Sequence, residues 1–463
     1  MPDVSQPFRR VFVANRGEIA VRIIRACREA GLESVLGMSE ADRHSLAARL
    51  ADRAVCLGPA PAAKSYLRSD LIATAAHGTG CQAVHPGYGF LSERAELHRA
   101  CARYGIAFVG PSVEAIQAMG DKLSAIRLAK AAGVPVVPGS EQLKSVEEVR
   151  AAAEVIGYPC LLKASAGGGG RGMRIVRDPQ SLSVAYESAQ AEALAAFGDA
   201  TVYLEKFIER ARHIEIQVLG DRHGNLVHLF DRDCSVQRRH QKLIEESPSP
   251  VLSPVRRAEM AEAALELARG VGYFSAGTVE FVFDADADRF YFLEMNTRIQ
   301  VEHPVTEMVT GVDLVREQLR VAAGERLSVR QRDIAVRGHA IECRINAENP
   351  LRDFMPAPGR ITRWKPPSGE GLRLDTHCEE GYMIPPFYDS MVAKLIAHRA
   401  DRLQATDLLT RALDSFEVEG ISTTIGLNRA VLASPAFRDA QVTTRWLETQ
   451  FLPQWLDAPA GGR

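Results

Sequence analysis

No apolar run in this 463-residue sequence approaches the roughly 20 residues that cross a bilayer, so nothing in it predicts a membrane span. None of its eight cysteines, at 27, 56, 81, 101, 160, 234, 343 and 378, forms a C-x-x-C pair with another. Scattered in this way they point to neither a zinc site nor a disulfide framework, and they predict a reducing, cytoplasmic setting. Excess charge is missing too: 56 Lys and Arg stand against 58 Asp and Glu, a formal net of −2. That balance gives no global basic field for nucleic acid. Repeats and low-complexity tracts are also lacking. The first ten residues, MPDVSQPFRR, run into strand-like sequence and leave no room for a signal peptide.

What is present is soluble globular composition, 46% hydrophobic and 25% charged, in a chain too long for one ordinary core. Residues 10–110 alternate strand and helix patterns. "RVFVAN" reads as a short apolar strand, and "EIAVRIIRACREAG" as a helix with Ile19, Ile23, Ala26 and Ala30 on one face and Gly31 as its stop. "SVLGMS", a helix around 45–51, "AVCLG" and "CQAVHPGYGF" continue an α/β unit with a parallel sheet. "MGDKLSAIRLAKAAG" predicts one helix. From 212 the pattern turns antiparallel, with hairpins in "HIEIQVLGDRHGNLVHLF" and "GTVEFVFDADADRFYFLEMN". A further β-rich stretch covers 336–396, followed by helices. The boundaries expected are 1–112, 113–208, 209–335 and 336–463.

The run "LLKASAGGGGRGMRIV", Leu161 to Val176, contains the spacing G-x-G-x-x-G. A dinucleotide loop of that spacing joins a strand to a helix, but here strand-like sequence lies on both sides. No Gly-Lys-Ser/Thr closes a Walker A loop, and no kinase catalytic motif follows. The remaining reading is a glycine-rich hairpin preceded by Lys163, whose backbone can approach anionic oxygens closely; the alternative is a flexible linker.

Three further segments carry chemistry. Alternation in "YFLEMN" sets Glu294 and Asn296 on one face and Leu293 and Met295 on the other, and hairpin pairing sets Glu280 opposite Glu294. Two carboxylates and an amide oxygen suit Mg²⁺. Strands this apolar are expected to be buried, and two unpaired buried carboxylates would be costly without a metal; otherwise this is a solvated sheet face. In "NTRIQVEHP", alternation groups Arg298, Gln300 and Glu302, an anion grip beside a base. A surface ion pair at i, i+4 accounts for that segment equally well. "RDCSVQRRHQK", Arg232 to Lys242, is a solvated basic face or, between strands, an anion pocket; without aromatics it is a poor base-stacking surface. The preceding hairpin groups His213, Glu215 and Gln217 against Ile214, Ile216 and Val218, a polar wall over an apolar core. A lid, a metal face and an anion pocket together imply chemistry at a nucleoside triphosphate γ-phosphate.

At this point "ANRGEIAVRIIRA", "HPGYGFLSE", "MGDKLSA", "GGGGRGM", "RDCSVQRRHQK", "EMNTRIQVEHPVTE" and "GHAIECRINAE" together resemble the biotin carboxylases, a family of ATP-grasp enzymes. The resemblance runs in order from about Arg10 to about Phe451. It implies a Rossmann-like N-terminal domain, an ATP-grasp domain with a mobile glycine-rich lid, and an antiparallel β-rich C-terminal domain. The implied activity is ATP-dependent carboxylation of the biotin ureido nitrogen by bicarbonate, through carboxyphosphate, with Mg²⁺ or Mn²⁺. By the same resemblance Lys122, Lys163, Gly169, Gly170, Glu205, Lys206, Phe207, Ile208, His213, Gln237 and His240 hold the nucleotide. Glu280, Glu294 and Asn296 hold metal; Lys242, Arg298, Gln300 and the Val301 amide hold bicarbonate. Glu302 is the base, and Arg344 stabilises the biotin enolate. From "HAIECRIN" alone, an ion pair between Arg344 and Glu342 is the preferred reading. Two departures stand out: Ala166 shortens the glycine run, and "ERARHIEIQ" lacks a proline before Arg212, which predicts a looser turn.

The resemblance further implies a homodimer working with a biotin carboxyl carrier protein and carboxyltransferase subunits. The sequence contains no Met-Lys-Met, and "PQWLDAPAGGR" is too short for a biotinyl domain, so biotin is expected on another chain or another part of a longer one. Another ATP-grasp ligase would share the lid and metal face but has no use for the Arg298–Glu302 face with Lys242. A regulatory nucleotide binder would be expected to lack the metal carboxylates or the base. The acyl acceptor is not encoded here.

Overall fold

The computed structural model describes residues 8–164, 173–197 and 200–458. Five strands, β1 (Arg10–Val13), β2 (Glu33–Ser39), β3 (Arg53–Gly58), β4 (Ala83–His85) and β5 (Ala107–Phe108), form a parallel N-terminal sheet ordered β3-β2-β1-β4-β5. The order reverses between β1 and β4, and such a reversal opens a crevice at the carboxyl ends of those strands. Asn15 closes one side of it, its Nδ2 donating to Pro86 O and Tyr88 O at 2.7 Å each. The helix after β1, α1 (Gly17–Glu29), buries Ile19, Ile23 and Ala26 as its spacing predicts. Ala30 lies exposed just past its end, where Gly31 takes a φ of +70°.

"MGDKLSAIRLAKAAG" is not one helix. Val113–Gly120 and Lys122–Ala131 are separate, because Asp121 adopts extended backbone and its carboxylate accepts from Ser124 N at 2.7 Å. An aspartate at this position satisfies an otherwise orphaned amide of the second helix, and Lys122 becomes that helix's first residue.

The strands expected on both sides of the glycine run are present: β6 (Cys160–Ala164) pairs antiparallel with β7 (Arg174–Val176), and β8 (Val202–Lys206) flanks β6. Gly169 and Gly170, with Ala166 and Arg171, lie outside the described residues.

Eight further strands build one antiparallel sheet. It comprises β9 (Ala211–Gly220), β10 (Leu226–Arg238), β11 (Gln241–Ser247), β12 (Ser275–Asp284), β13 (Arg289–Asn296), β14 (His339–Asn346) and the strands Leu372–Thr376 and Met391–Arg399. β11 pairs with β14 from Ile244↔Cys343 to Ser247↔Ala340, so strands of the β-rich C-terminal stretch extend the sheet that carries the two hairpins. Ile214, Ile216, Val218, Val279, Phe281 and Phe292 fill the core beneath one face. The opposite face of β9 carries His213, Glu215 and Gln217, all buried. Among the described residues no helix is long and apolar enough to cross a membrane.

Candidate active site

The β12–β13 hairpin sets Glu280 opposite Glu294 and Thr278 opposite Asn296, the register that the sequence predicts. One residue departs from strict alternation. Phe281 pairs with Phe292, which leaves Leu293 as a bulge and lets Phe292 and Met295 both reach the core. The expectation of two unpaired buried carboxylates fails. Glu280 is 4% exposed but is served by Lys242 Nζ at 2.9 Å and Gln300 Nε2 at 2.9 Å, with His213 Nε2 at 3.0 Å. Burial opposes its charge, yet Lys242 and His213 hold it well below the usual carboxylate range. Glu294 instead meets solvent. Desolvation by the surrounding protein and the charge of Glu280 raise its pKa. A carboxylate beside a like charge and free to accept a ligand suits a divalent cation, which Glu294 and Glu280 would help to hold.

Lys242 is the hub. At the start of β11, with 11% of its side chain exposed, it spends its three donors on Glu215 Oε2 at 2.6 Å, Glu280 Oε1 at 2.9 Å and Glu302 Oε1 at 2.5 Å. Of the basic run, Arg232 is fully buried, paired with Glu215 and donating to Gln217 Oε1 at 2.7 Å, Thr306 Oγ1 at 2.9 Å and Thr278 Oγ1 at 3.1 Å. The run is therefore an internal cluster on its Lys242 side. Gln237, buried, pairs with Lys242 across the strands, while Arg239 and His240 form an exposed turn at φ +48° and +65°. His213 rises above its ordinary pKa, because Glu280 outweighs burial and the repulsion of Lys242.

The "NTRIQVEHP" segment is a turn leading into the helix His303–Thr310, not a strand, yet it brings the predicted groups together. Arg298 reaches Gln300 Oε1 at 3.0 Å and Asn296 Oδ1 at 2.9 Å. Its carboxylate partner is Glu93 of the N-terminal region at 2.9 Å, so the i, i+4 pair with Glu302 does not form. Glu302 is fully buried between Lys242 and Arg344, whose Nη2 lies 2.9 Å away. Arg344 does not pair with Glu342 either; its Nε reaches Glu245 Oε1 at 2.5 Å. Burial pushes Glu245 up to about 7, with Arg344 opposing and Glu302 adding. Sequence reasoning missed Glu93 and Glu245 as members of this cluster; Glu215 and Arg232 stood in quoted segments without a role.

A second group lies on and beside the strands that flank the glycine run. Lys163 pairs with Glu205 across β6 and β8. Lys122 is depressed by desolvation and by Lys163, against the pull of Glu205 and Glu294, so both lysines share one field with the carboxylate face. Lys206 directs Nζ at Tyr158 O, 3.0 Å, and its amide at Pro138 O, 2.8 Å; the Phe207 amide meets Pro159 O at 3.1 Å. Ile208 is buried at the end of this segment.

Three family profiles match in order: biotin carboxylase, N-terminal domain, over residues 7–116; carbamoyl-phosphate synthase L chain, ATP binding domain, over 121–330; and biotin carboxylase C-terminal domain over 342–449. The Nostoc biotin carboxylase is 53% identical over 95% of this chain and 99% of its own. Biotin carboxylase 1 of Bacillus subtilis is 52% identical over 95% and 98%. A crystal structure of the Hydrogenobacter thermophilus 2-oxoglutarate carboxylase biotin carboxylase domain dimer, in complex with MgADP, ADP and bicarbonate, superposes with a TM-score of 0.89 at 48% identity, covering 98% of this chain and 100% of that one. The Campylobacter jejuni biotin carboxylase–β,γ-ATP complex superposes with a TM-score of 0.88 at 46% identity, covering 95% and 98%. Profiles spanning most of the sequence, and relatives this similar over nearly all of it, place the chain in the biotin carboxylase family.

Proposed function

We propose that this chain is an ATP-dependent ligase that carboxylates biotin with bicarbonate, within a biotin-dependent carboxylase complex. The observation that carries the reading is the position of Lys242, bonded at once to Glu280 of the carboxylate face and to Glu302 of the anion pocket. One ammonium joins the place where a triphosphate would be neutralised to the place where an anion would be held. Activating bicarbonate against a triphosphate needs that juxtaposition, since two anions must be brought together.

In this reading Lys122, Lys163, Gly169, Gly170, the segment from Glu205 to Ile208, His213, Gln237 and His240 hold the nucleotide. Glu280, Glu294 and Asn296 would hold Mg²⁺ or Mn²⁺, which supplies charge neutralisation at the phosphate oxygens. Lys242, Arg298, Gln300 and the Val301 amide bind bicarbonate, and Glu302 takes its proton. Carboxyphosphate formed on γ-phosphate transfer is kept from water by the glycine-rich lid. Arg344 then lies beside the base, where a guanidinium can stabilise an enolate oxygen on biotin. The divisions 1–112, 113–208, 209–335 and 336–463 assign the N-terminal domain, linker and lid, catalytic core and C-terminal domain. The assembly proposed is a homodimer served by a carrier protein and carboxyltransferase subunits.

Phosphate release from MgATP tests the reading. It should require bicarbonate and rise when biotin is added. Release independent of bicarbonate, or dependent on an organic carboxylate and an amine instead, would point to another ATP-grasp ligase.

A further inference from the structure

In the turn from Gln300 to Glu302, the two peptide planes on either side of Val301 are both held at their carbonyls. His303, fully buried, places Nδ1 2.7 Å from Gln300 O. A carbonyl only accepts, so Nδ1 carries the hydrogen. Burial, with Lys394, Arg22 and Arg373 nearby, keeps the ring neutral, and its buried Nε2 finds no hydrogen-bond partner among the described residues. The Gln300 carbonyl and the Val301 N–H are two ends of one planar trans amide. Fixing the carbonyl toward His303 therefore aims the N–H the opposite way.

The next peptide is held as well. Lys394 Nζ donates to Val301 O at 2.8 Å. This lysine has no exposed surface; it lies 3.1 Å from Glu18 Oε1 at the start of α1, and Glu18 in turn accepts from the Tyr88 hydroxyl. The clamp is thus built from three separate parts of the chain.

We propose that His303 and Lys394 are positioning residues for the bicarbonate site, locking the two peptide planes around Val301 so that its N–H faces the anion before it arrives. This rests on the assignment of Val301 to bicarbonate under the proposed function. An amide already aimed costs nothing to orient on binding, and the gain should fall on the anion and not on the nucleotide. Lys394 also neutralises Glu18, so the test is placed on His303.

His303→Leu keeps bulk without a donor, and His303→Asn puts an amide donor where Nδ1 stood. Steady-state rates are measured with bicarbonate and ATP varied separately. His303→Leu should raise the KM for bicarbonate about tenfold, the worth of one ordinary hydrogen bond, with the KM for ATP within about twofold. His303→Asn should recover most of that loss. If His303→Leu does not fold, His303→Gln, whose amide lies nearer the Nε2 position, should behave as described for leucine. An unchanged bicarbonate KM, equal rises for both substrates, or an asparagine variant no better than leucine would overturn the proposal. A wild-type protein without bicarbonate-dependent ATP cleavage would instead overturn the functional reading itself.

Discussion

Glu302 sits among Lys242, Arg344 and Arg232 without any exposure. Burial alone would raise its pKa, but these three cations outweigh it and hold the carboxyl far below the ordinary range. Such a group is always ionised at neutral pH, yet it is a weak base while its neighbours stay in place. An arriving bicarbonate would draw Lys242 towards itself and weaken that hold, so the basicity of Glu302 would rise with the substrate beside it. Glu302→Gln should therefore bind MgATP nearly as wild type does and lose about a hundredfold or more of bicarbonate-dependent turnover, the usual scale for a missing general base. The fold should tolerate the change, because Lys242 keeps Glu215 and Glu280 and Arg344 keeps Glu245. Calorimetry for nucleotide binding and phosphate release for turnover check both halves; a wild-type rate would remove Glu302 from the base role. The residue types here were legible in "NTRIQVEHP" and "RDCSVQRRHQK", but their partners were not. Arg298 finds Glu93, and Arg344 finds Glu245 and Glu302, across distances in sequence that no local pattern reports.

Strand β11 shows how one element serves two ends. Successive side chains on a strand face opposite ways. Glu245 accordingly meets Arg344, while Glu246 meets His339 Nε2 at 2.8 Å and Arg402 Nε at 2.6 Å. Arg402 opens the helix Arg402–Asp414 and stacks on Phe437, so Glu246 ties that helix to the sheet. Burial opposes the Glu246 charge, but Arg402 and His339 bring its pKa down from 4.5 to about 2. The folded value lies below the unfolded one, so the ionised group stabilises the fold. That contribution is complete above about pH 4.5 and fades as pH falls towards 2, on the order of 3 kcal/mol in all. Glu246→Gln should lower the denaturation midpoint at pH 7, and its deficit against wild type should shrink steadily from pH 5 towards pH 3. A gap that stays constant with pH would mean that packing, not charge, accounts for the loss. Elements of this kind were the most readable part of the fold, since hairpin register follows from period-two patterning. The break at Asp121 and the bulge at Leu293 were not, because a cap and an extra strand residue leave the surrounding periodicity almost intact.

On the scale of the molecule, the cluster is assembled from the N-terminal region through Glu18 and Glu93, from β11 and β12 through Lys242 and Glu280, and from β14 through Arg344. Under the proposed function biotin would reach Arg344 and Glu302, where these parts meet. The 463 residues contain no Met-Lys-Met, the tetrapeptide core expected around a biotinylated lysine in this family. A biotin presented by another domain must enter and leave at every turnover, so its contact with this chain should be modest in area and transient. The carrier's binding contribution would be absent from free biotin, and that energy is what raises reactivity at the ureido nitrogen. Free biotin should consequently be a much poorer substrate than biotin on its carrier, chiefly in kcat/KM. The check is to incubate this chain with a biotin ligase, biotin and ATP, with and without a carrier domain, and to probe with streptavidin before adding bicarbonate. Label on the carrier alone, followed by its carboxylation at a rate well above that of free biotin, is the expected result; label on this chain, or equal rates for the two forms of biotin, would contradict it.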